Sequence, residues 1–344
     1  MPTFVGPWRI TVGPDGALWF TEPCANRIGR FTLAPAAPPT AGGVSPAQGS
    51  GTSADVTFTF SDASGWQNLG VVNMLINSAL DGRKACYLAY AVSSSALLLV
   101  DDAGDAGGPY AGSVTVGNAG TYIANSQCAV SLNSAVGSGT DLTLMLTVSF
   151  QPAFGGNVIQ YLAARDSAQN NSGWQASGVW NAMSQTPLGP IAVGAITPPR
   201  GNLLGGSMVP VTFTVADTKG AADIGIVNLL VNNFIDGRQA CYLAYVAAAN
   251  SLLLVDDAGD AGGPFAGTLQ LNGSGGTIQN SQCSVSGQGS SVVTNGNQMT
   301  LTFAIAFMSP LAGNRVMWVA GRDNAGGNNT GWQATGTALI TIGN

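Results

Sequence analysis

A long internal repeat constrains this chain more than any other feature of its sequence. The decapeptide that begins at Asp81 returns at Asp236 with a single change, at an offset of 155 residues (236 − 81). At the same offset, residues 97–109 return without a change. Trp174 and Trp332 occupy matching places near the ends of the two copies. Since each copy has about 150 residues, each is long enough for a domain with its own core.

The repeat predicts the domain organisation. A stretch with four prolines separates the two copies, and prolines at this density are typical of a linker. The segment before the first copy lies outside the repeat. We therefore predict an N-terminal segment at residues 1–36, a first domain at 37–185, a linker at 186–199 and a second domain at 200–344.

Short stretches of alternating polarity indicate β-strands. Residues 56–60, 142–150 and 301–307 alternate between large apolar side chains and mostly small or polar ones. Alternation of this kind is typical of a sheet with one buried face, and the solid apolar run at 96–100 suits a central strand. Long helical periodicity is absent from the sequence. The prediction is an all-β protein with two tandem antiparallel β-sandwiches.

Composition argues against several function classes. Charged residues make up 8% of the chain, against about 25% in an average protein. The net charge is −6 with 11 Lys and Arg residues and no basic run, so we expect no nucleic-acid partner. The sequence contains no histidine, which excludes Ser-His-Asp and Cys-His catalysis. Glutamate is nearly absent, and we expect that the chain is not an enzyme.

The compartment is suggested by composition rather than by a targeting segment. No apolar run approaches the roughly 18–20 residues of a membrane helix. The start of the chain lacks the basic region and apolar stretch of a signal peptide. We interpret the sequence as a fragment of a longer gene. With 48 glycines and few charges it has the texture of an extracellular β-protein, so we expect it to be secreted or held at the cell surface.

Four of the five cysteines occupy matching positions. Cys86 and Cys128 lie 42 residues apart, as do Cys241 and Cys283. One disulfide in each domain is the prediction, and two buried free thiols are the alternative. The fifth cysteine, Cys24, lies outside the repeats and is either a free thiol or an intermolecular link. Because the cysteines form no Cys-x-x-Cys or Cys/His cluster, we expect no zinc site.

An acidic, glycine-rich loop occurs in both copies. Three carboxylates fall within five residues in each, namely Asp101, Asp102 and Asp105, repeated as Asp256, Asp257 and Asp260. Oxygen ligands on a flexible loop suit calcium, although the spacing is not that of an EF-hand. Calcium is therefore the one cofactor that the sequence suggests. The alternative is a polar hairpin turn, in which Asp and Gly satisfy the turn geometry.

Repeated cationic and aromatic residues are candidates for ligand binding. Arginines recur as Arg83 and Arg238 in Asp-Gly-Arg turns and as Arg165 and Arg322 beside an aspartate. We expect salt bridges there, with gripping of a ligand as the alternative. Trp174 and Trp332 would stack against sugars if exposed, or would cover the end of the core. Tyr110 and Phe265, which follow Gly-Gly-Pro, are further candidates of the same kind.

The ends of the two copies resemble a known family. Residues 162–166 with 170–174, and 319–326 with 329–332, are similar to the final hairpin of bacterial Ig-like domains, where an Ala-x-Asp-x-Ala-Gly-Asn turn joins the last two strands. The wider pattern resembles an Ig-like repeat of large secreted proteins from soil bacteria. This resemblance covers about 300 residues and implies an Ig-like sandwich fold. For activity it implies a spacer or a binding module.

Residues 5–33 resemble one blade of the virginiamycin B lyase (streptogramin lyase) propeller. The likeness rests on Gly6–Glu22 and Asn26–Thr32. The family's enzymes use a catalytic histidine, a glutamate and magnesium, and this chain has no histidine. One blade also cannot close a ring of about 4–8 blades. The resemblance therefore implies a blade remnant and an upstream propeller domain in the parent protein, without the lyase activity.

These observations lead to three functional expectations. The first is a non-catalytic secreted spacer or interaction module that displays or anchors a neighbouring domain. The second is a carbohydrate-binding or adhesive module whose partner is a polysaccharide or another protein. The third is a fragment of a lyase-like propeller protein that lacks the catalytic part. The blade remnant also has unpaired strand edges, which are able to add to a neighbouring sheet or to another chain.

Overall fold

The protein is all-β, as predicted. A computed structural model describes residues 8–15, 17–32, 37–116, 121–182 and 190–342, and only the backbone of Cys24. These ranges contain 27 strands and six single turns of 3-10 helix. No helix within them is long and apolar enough to cross a membrane. The helical turns lie at Pro23–Ala25, Trp66–Asn68, Val92–Ser94, Ala221–Asp223, Ala247–Ala249 and Ser309–Leu311.

The chain divides into two compact units, Met1–Ala37 and Pro38–Asn344. The described part of the first unit is an antiparallel sheet with the strand order β1 (Ile10–Val12), β2 (Leu18–Glu22), β3 (Arg27–Phe31). Tight turns of the chain join consecutive strands, as in a β-meander. Cys24 lies in the helical turn between β2 and β3.

The second unit begins with a β-sandwich, here called sandwich 1. One sheet has five strands in the order β11-β12-β13-β6-β4, and the other has seven in the order β10-β9-β8-β7-β14-β15-β5. Only β5 and β15 pair in parallel. The strands are β4 (Thr40–Ser45), β5 (Gln48–Ser50), β6 (Ser53–Ser61), β7 (Leu69–Asn77), β8 (Cys86–Ala91), β9 (Ala96–Val100), β10 (Tyr110–Thr115), β11 (Ile123–Ala124), β12 (Cys128–Ser138), β13 (Asp141–Phe150), β14 (Gly156–Asp166) and β15 (Gln175–Ala182).

Sandwich 2 follows with corresponding strands in the same order. Its five-stranded sheet runs β16-β18-β25-β24-β23, and its seven-stranded sheet runs β17-β27-β26-β19-β20-β21-β22. The strands are β16 (Ile191–Thr197), β17 (Arg200–Leu204), β18 (Met208–Asp217), β19 (Ile224–Asn232), β20 (Cys241–Val246), β21 (Ser251–Val255), β22 (Phe265–Gln270), β23 (Thr277–Gln279), β24 (Cys283–Asn295), β25 (Gln298–Phe307), β26 (Gly313–Asp323) and β27 (Gln333–Thr341).

The structure differs from the sequence prediction in the stretch that we assigned to a linker. Residues 183–189 lie outside the described residues, but Ile191–Thr197 form β16, which pairs with β18. The prolines at positions 198 and 199 mark the place where the chain leaves the five-stranded sheet and enters the seven-stranded one. Ile191 and Ile196 are buried in the core of sandwich 2, because their side chains point between the two sheets.

Alternation places the large apolar side chains between the sheets. In β6, for example, Val56, Phe58 and Phe60 are buried while the intervening threonines lie on the outer face. The predicted strands at 56–60, 96–100, 142–150 and 301–307 all fall within strands of the structure. Each sandwich therefore has its own apolar core.

A disulfide links the two sheets of each sandwich. Cys86 in β8 is bonded to Cys128 in β12, and Cys241 in β20 is bonded to Cys283 in β24. All four cysteines are fully buried. Both bonds are the ones predicted from the matching positions.

A third apolar cluster joins the two sandwiches. It lies between the outer faces of the two seven-stranded sheets, where β14 and β15 contact β26 and β27. Corresponding residues of the two copies contribute to it. We call this the shared cluster; its matching pairs are Leu75 and Leu230, Ala85 and Ala240, Tyr87 and Tyr242, Val100 and Val255, Ile159 and Val316, Tyr161 and Trp318, and Ala176 and Ala334.

Candidate functional site

The outer face of the seven-stranded sheet of sandwich 2 carries an open groove of about 520 Å³. Its floor consists of small and medium apolar side chains, and its rim carries Asn, Arg and Trp. We call this the sheet groove; its lining residues are Ile226, Asn228, Tyr242, Ala244, Val246, Leu253, Ala261, Gly262, Ala320, Gly321, Arg322, Asn329, Gly331 and Trp332. The volume is within the range of about 300–1,000 Å³ that small-ligand sites occupy.

Because side chains of a strand alternate between its two faces, β19 contributes residues both to the core of sandwich 2 and to the groove. Val227, Leu229 and Val231 are buried in the core of sandwich 2. The alternate side chains face outward, where Leu230 enters the shared cluster and Asn228 lines the groove. One strand face is thus divided into a covered half and an open half.

The two tryptophans predicted as sugar-stacking residues are half-buried. Trp332 packs edge-to-face on Tyr242, with ring centroids 5.6 Å apart and planes at 70°. Trp174 packs on Tyr87 in the same way, at 5.8 Å and 67°. Edge-to-face packing holds an aromatic ring in one orientation. Trp332 lines the sheet groove, whereas Trp174 lines a cavity of about 310 Å³ between the sandwiches.

Burial raises the pKa of Tyr242 and, together with the neighbouring Tyr110, that of Tyr87. The positive charge of Arg165 lowers the pKa of Tyr87 by less than burial raises it. Both tyrosines are therefore protonated at neutral pH, and their hydroxyl groups are hydrogen-bond donors.

Tyr110 and Phe265 begin the outermost strands of the two seven-stranded sheets. Both are exposed, at 42% and 38% respectively. The Tyr110 hydroxyl donates a hydrogen bond of 3.0 Å to the carbonyl of Ala106. The residue that corresponds to Ala106 in sandwich 2 is Ala261, which lines the sheet groove, whereas Phe265 is not among the lining residues.

The adjacent Arg-Asp pairs do not form salt bridges with each other. Arg322 is exposed and lines the sheet groove, whereas Asp323 is buried and accepts a hydrogen bond of 2.6 Å from the amide of Asn328. Successive residues of a strand point to opposite faces, which explains the separation. The bond from Asn328 lowers the pKa of Asp323. Arg165 is exposed and Asp166 is buried in the same way.

The other repeated arginines have partners inside their own turns. Arg83 forms a bidentate salt bridge with Asp81, at 2.6 Å for the shorter contact, and Arg238 does so with Asp236. The turn also packs its backbone against the acidic loop: a Cβ on Gly104, which has φ +81°, would lie 2.4 Å from the backbone nitrogen of Arg83. A Cβ on Gly259 would meet the backbone nitrogen of Arg238 in the same way, so close backbone packing explains this pair of glycines.

Of the loop aspartates considered for calcium, two in each sandwich cap turns and the third accepts a hydrogen bond from a segment 24 residues further along the chain. Asp101 accepts from the amide of Ala103, Asp105 from that of Gly107, and Asp102 from that of Ser126. In sandwich 2 the corresponding carboxylates make the same bonds: Asp256 to Ala258, Asp260 to Gly262 and Asp257 to Ser281. In the described part of the chain, no three acidic, Cys or His side chains lie close enough to hold a metal ion. Calcium binding at these loops stays a prediction.

Asn228 is a polar groove residue that the sequence analysis did not identify. It is half-buried, and within the described ranges its side-chain amide has no hydrogen-bond partner, nor has the guanidinium of Arg322. An available signal was the recurrence of Asn at positions 73 and 228, in the middle of strands whose other residues, except a terminal Asn, are apolar or glycine. A polar side chain kept at such a position is typical of a contact site.

Comparisons with known proteins assign no family to this chain. No family model matches the chain, and no curated protein matches it. Among solved structures, the chain is similar to dimeric latent PorU from Porphyromonas gingivalis, at 9% sequence identity and a TM-score of 0.23. That similarity covers 95% of this chain and 24% of PorU, so the chain spans about a quarter of its length. A likeness at this level carries no functional conclusion.

Proposed function

We propose that this chain is a non-catalytic, secreted interaction module built from two Ig-like sandwiches that act as one rigid body. The observation that carries the proposal is the shared cluster, which joins the two sandwiches through matching residues of both. A joint of buried apolar side chains does not bend as a linker of polar residues does. The module would hold neighbouring parts of a longer protein at a fixed relative position.

The Ig-like assignment is supported by the path of the chain. In each sandwich the first part of the chain pairs with one sheet and the next part with the other, as β4 and β5 do in sandwich 1. A buried disulfide then joins the sheets. Both features are typical of Ig-like sandwiches.

Secretion is supported by the two disulfides, since such bonds persist in oxidising compartments. A non-catalytic role is supported by the use of the repeated carboxylates as turn caps and as partners of arginines. The proposal includes no active site.

Calorimetry of the whole chain tests the rigid pairing. We expect the two sandwiches to unfold in one cooperative transition. Leu75→Asp and Leu230→Asp each place a charge in the shared cluster, one from sandwich 1 and one from sandwich 2. Either substitution should split the single unfolding transition into two. Val293→Asp, at a position that is 60% exposed in sandwich 2, is the control. Two independent transitions in the unaltered protein would contradict the proposal.

The sheet groove favours carbohydrate binding as a second function. It offers a fixed Trp ring, an apolar floor and side-chain amides, which together suit a sugar ring with its apolar faces and hydroxyl rim. Binding of the full chain to a panel of immobilised glycans tests this function. Loss of that binding in Trp332→Ala would place the site in the groove.

A further inference from the structure

We infer that the sheet groove binds an acidic polysaccharide, one whose sugars carry carboxylate groups. This inference rests on the second function above, carbohydrate binding, and names its ligand class. It follows from an arginine that has no partner and that stands beside an aromatic ring at an otherwise apolar groove.

The arginines of the two sandwiches fall into two groups. Arg83 and Arg238 pair with aspartates, while Arg200 and Arg315 bind carbonyl and amide oxygens. Within the described parts of the sandwiches, only Arg165 and Arg322 have guanidinium groups without a hydrogen-bond partner. In a chain with 17 acidic and 11 basic residues, two unpaired arginines at corresponding positions indicate an external anion. Guanidinium binds carboxylate through two parallel hydrogen bonds.

The residues around Arg322 indicate which kind of molecule bears the carboxylate group. Trp332 presents a ring held by Tyr242, and the floor between β19, β20 and β26 offers apolar atoms for the face of a sugar. The unpartnered amide of Asn228 is both donor and acceptor, which suits a hydroxyl group. The nearby carboxylate of Asp260 already accepts a bond from Gly262, at 2.8 Å. A hydroxylated ring with one carboxylate therefore matches the groups that the groove leaves free.

Sandwich 1 carries the same set of residues at corresponding positions: Asn73, Tyr87, Arg165, Asn171 and Trp174. Trp174 packs edge-to-face on Tyr87 there, as Trp332 does on Tyr242 in sandwich 2. The inference therefore extends to a second site of the same kind on sandwich 1.

Isothermal calorimetry of the full chain tests the inference with three probes: oligogalacturonate, the same oligosaccharide as its methyl ester, and a neutral xylo-oligosaccharide. We expect the free acid to bind at least about tenfold more tightly than the ester, since a charge-assisted bond is lost. Arg322→Gln should weaken binding of the acid by a similar factor, and Arg165→Gln should add to that loss. Arg238→Gln, exposed in the same sandwich but paired with Asp236, should leave the affinity unchanged.

The outcomes separate the two levels of the proposal. If acid and ester bind equally and Arg322→Gln has no effect, the acidic ligand class is wrong while carbohydrate binding stands. If none of the three probes and no immobilised glycan binds, both fail. An oligo-aspartate peptide that binds as tightly as oligogalacturonate would show that the groove selects charge alone, and would overturn the assignment to a sugar.

Discussion

The side-chain amide of Asn157 in sandwich 1 donates a hydrogen bond of 2.9 Å to Oε1 of Gln333 in sandwich 2. The corresponding residues form the reciprocal bond, in which Asn314 donates to Oε1 of Gln175 at 2.7 Å. Together with the matching pairs of the shared cluster, these bonds make the contact between the sandwiches nearly symmetric. An isologous interface in which each partner uses the same surface is typical of two-fold dimers. Here both partners belong to one chain.

The Asn157–Gln333 bond should couple the two sandwiches energetically. In a double-mutant cycle with Asn157→Ala and Gln333→Ala, we expect a coupling free energy of about 0.5–1.5 kcal/mol in urea unfolding. Asn314→Ala with Gln175→Ala is the matched second cycle and should give a similar value. Strictly additive effects in both cycles would show that the bonds contribute nothing to the pairing.

A buried glutamine in sandwich 1 should destabilise the protein. Gln160 is 1% exposed, and neither atom of its amide has a hydrogen-bond partner among the described residues. Sandwich 2 has Met317 at this position. We expect Gln160→Met to raise the free energy of unfolding by about 1–3 kcal/mol, because the unpaired amide is removed.

Gln282 provides the control for this substitution. It is 2% exposed, but its amide donates to Ser281 and Gln239. Gln282→Met should therefore lower the stability, since it breaks bonds that exist. Equal effects of the two substitutions in chemical denaturation would contradict the explanation.

Removing a disulfide should lower the stability of its sandwich. Each bond closes a loop of 42 residues, and the chain-entropy relation gives about 3–4 kcal/mol for a loop of this size. We expect Cys86→Ala with Cys128→Ala to lose about this amount in urea unfolding. Cys24→Ser, outside both sandwiches, should leave the unfolding of the sandwiches unchanged. A loss below about 1 kcal/mol would mean that the unfolded chain gains little freedom.

The shared cluster should be sensitive to alkali through Tyr161. Burial raises the pKa of Tyr161 to about 12 from its usual value of 10.0. Below pH 10 the hydroxyl of Tyr161 is protonated in both the folded and the unfolded protein, so this group does not reduce the free energy of unfolding. As the pH rises from 10 to 12 the hydroxyl ionises in the unfolded chain first, and the free energy of unfolding falls.

Tyr161→Phe should reduce this alkaline loss, measured as the melting temperature between pH 8 and 12. The corresponding residue in sandwich 2, Trp318, does not ionise in this range and requires no counterpart change. Tyr87, Tyr242 and Tyr245 also have raised pKa values, so part of the alkaline sensitivity should remain. An identical pH profile for Tyr161→Phe would rule out this residue as a source.

Several features followed from the sequence alone. Both disulfides were predicted from the matching positions of the cysteines, Cys86 and Cys128 in one copy and Cys241 and Cys283 in the other. Two copies of one fold bring corresponding residues together in the same way. Alternation predicted β6, β13 and β25, because a strand with one buried face must alternate. The linker prediction failed at Ile191–Thr197, where two isoleucines at a spacing of five were too weak a strand signal beside the prolines.

The groove was only partly predictable. Trp332 and Arg322 were candidates because they are repeated, but Asn228 was not, since one Asn in an apolar strand has many explanations. The order of residues in β19 is enough to say which side chains turn inward and which turn outward, because the period of a strand is two. That the outward Leu230 is covered by sandwich 1 while the outward Asn228 stays open depends on how the two sandwiches pack. Periodicity assigns a residue to a face, whereas what packs on that face depends on contacts between residues far apart in the chain.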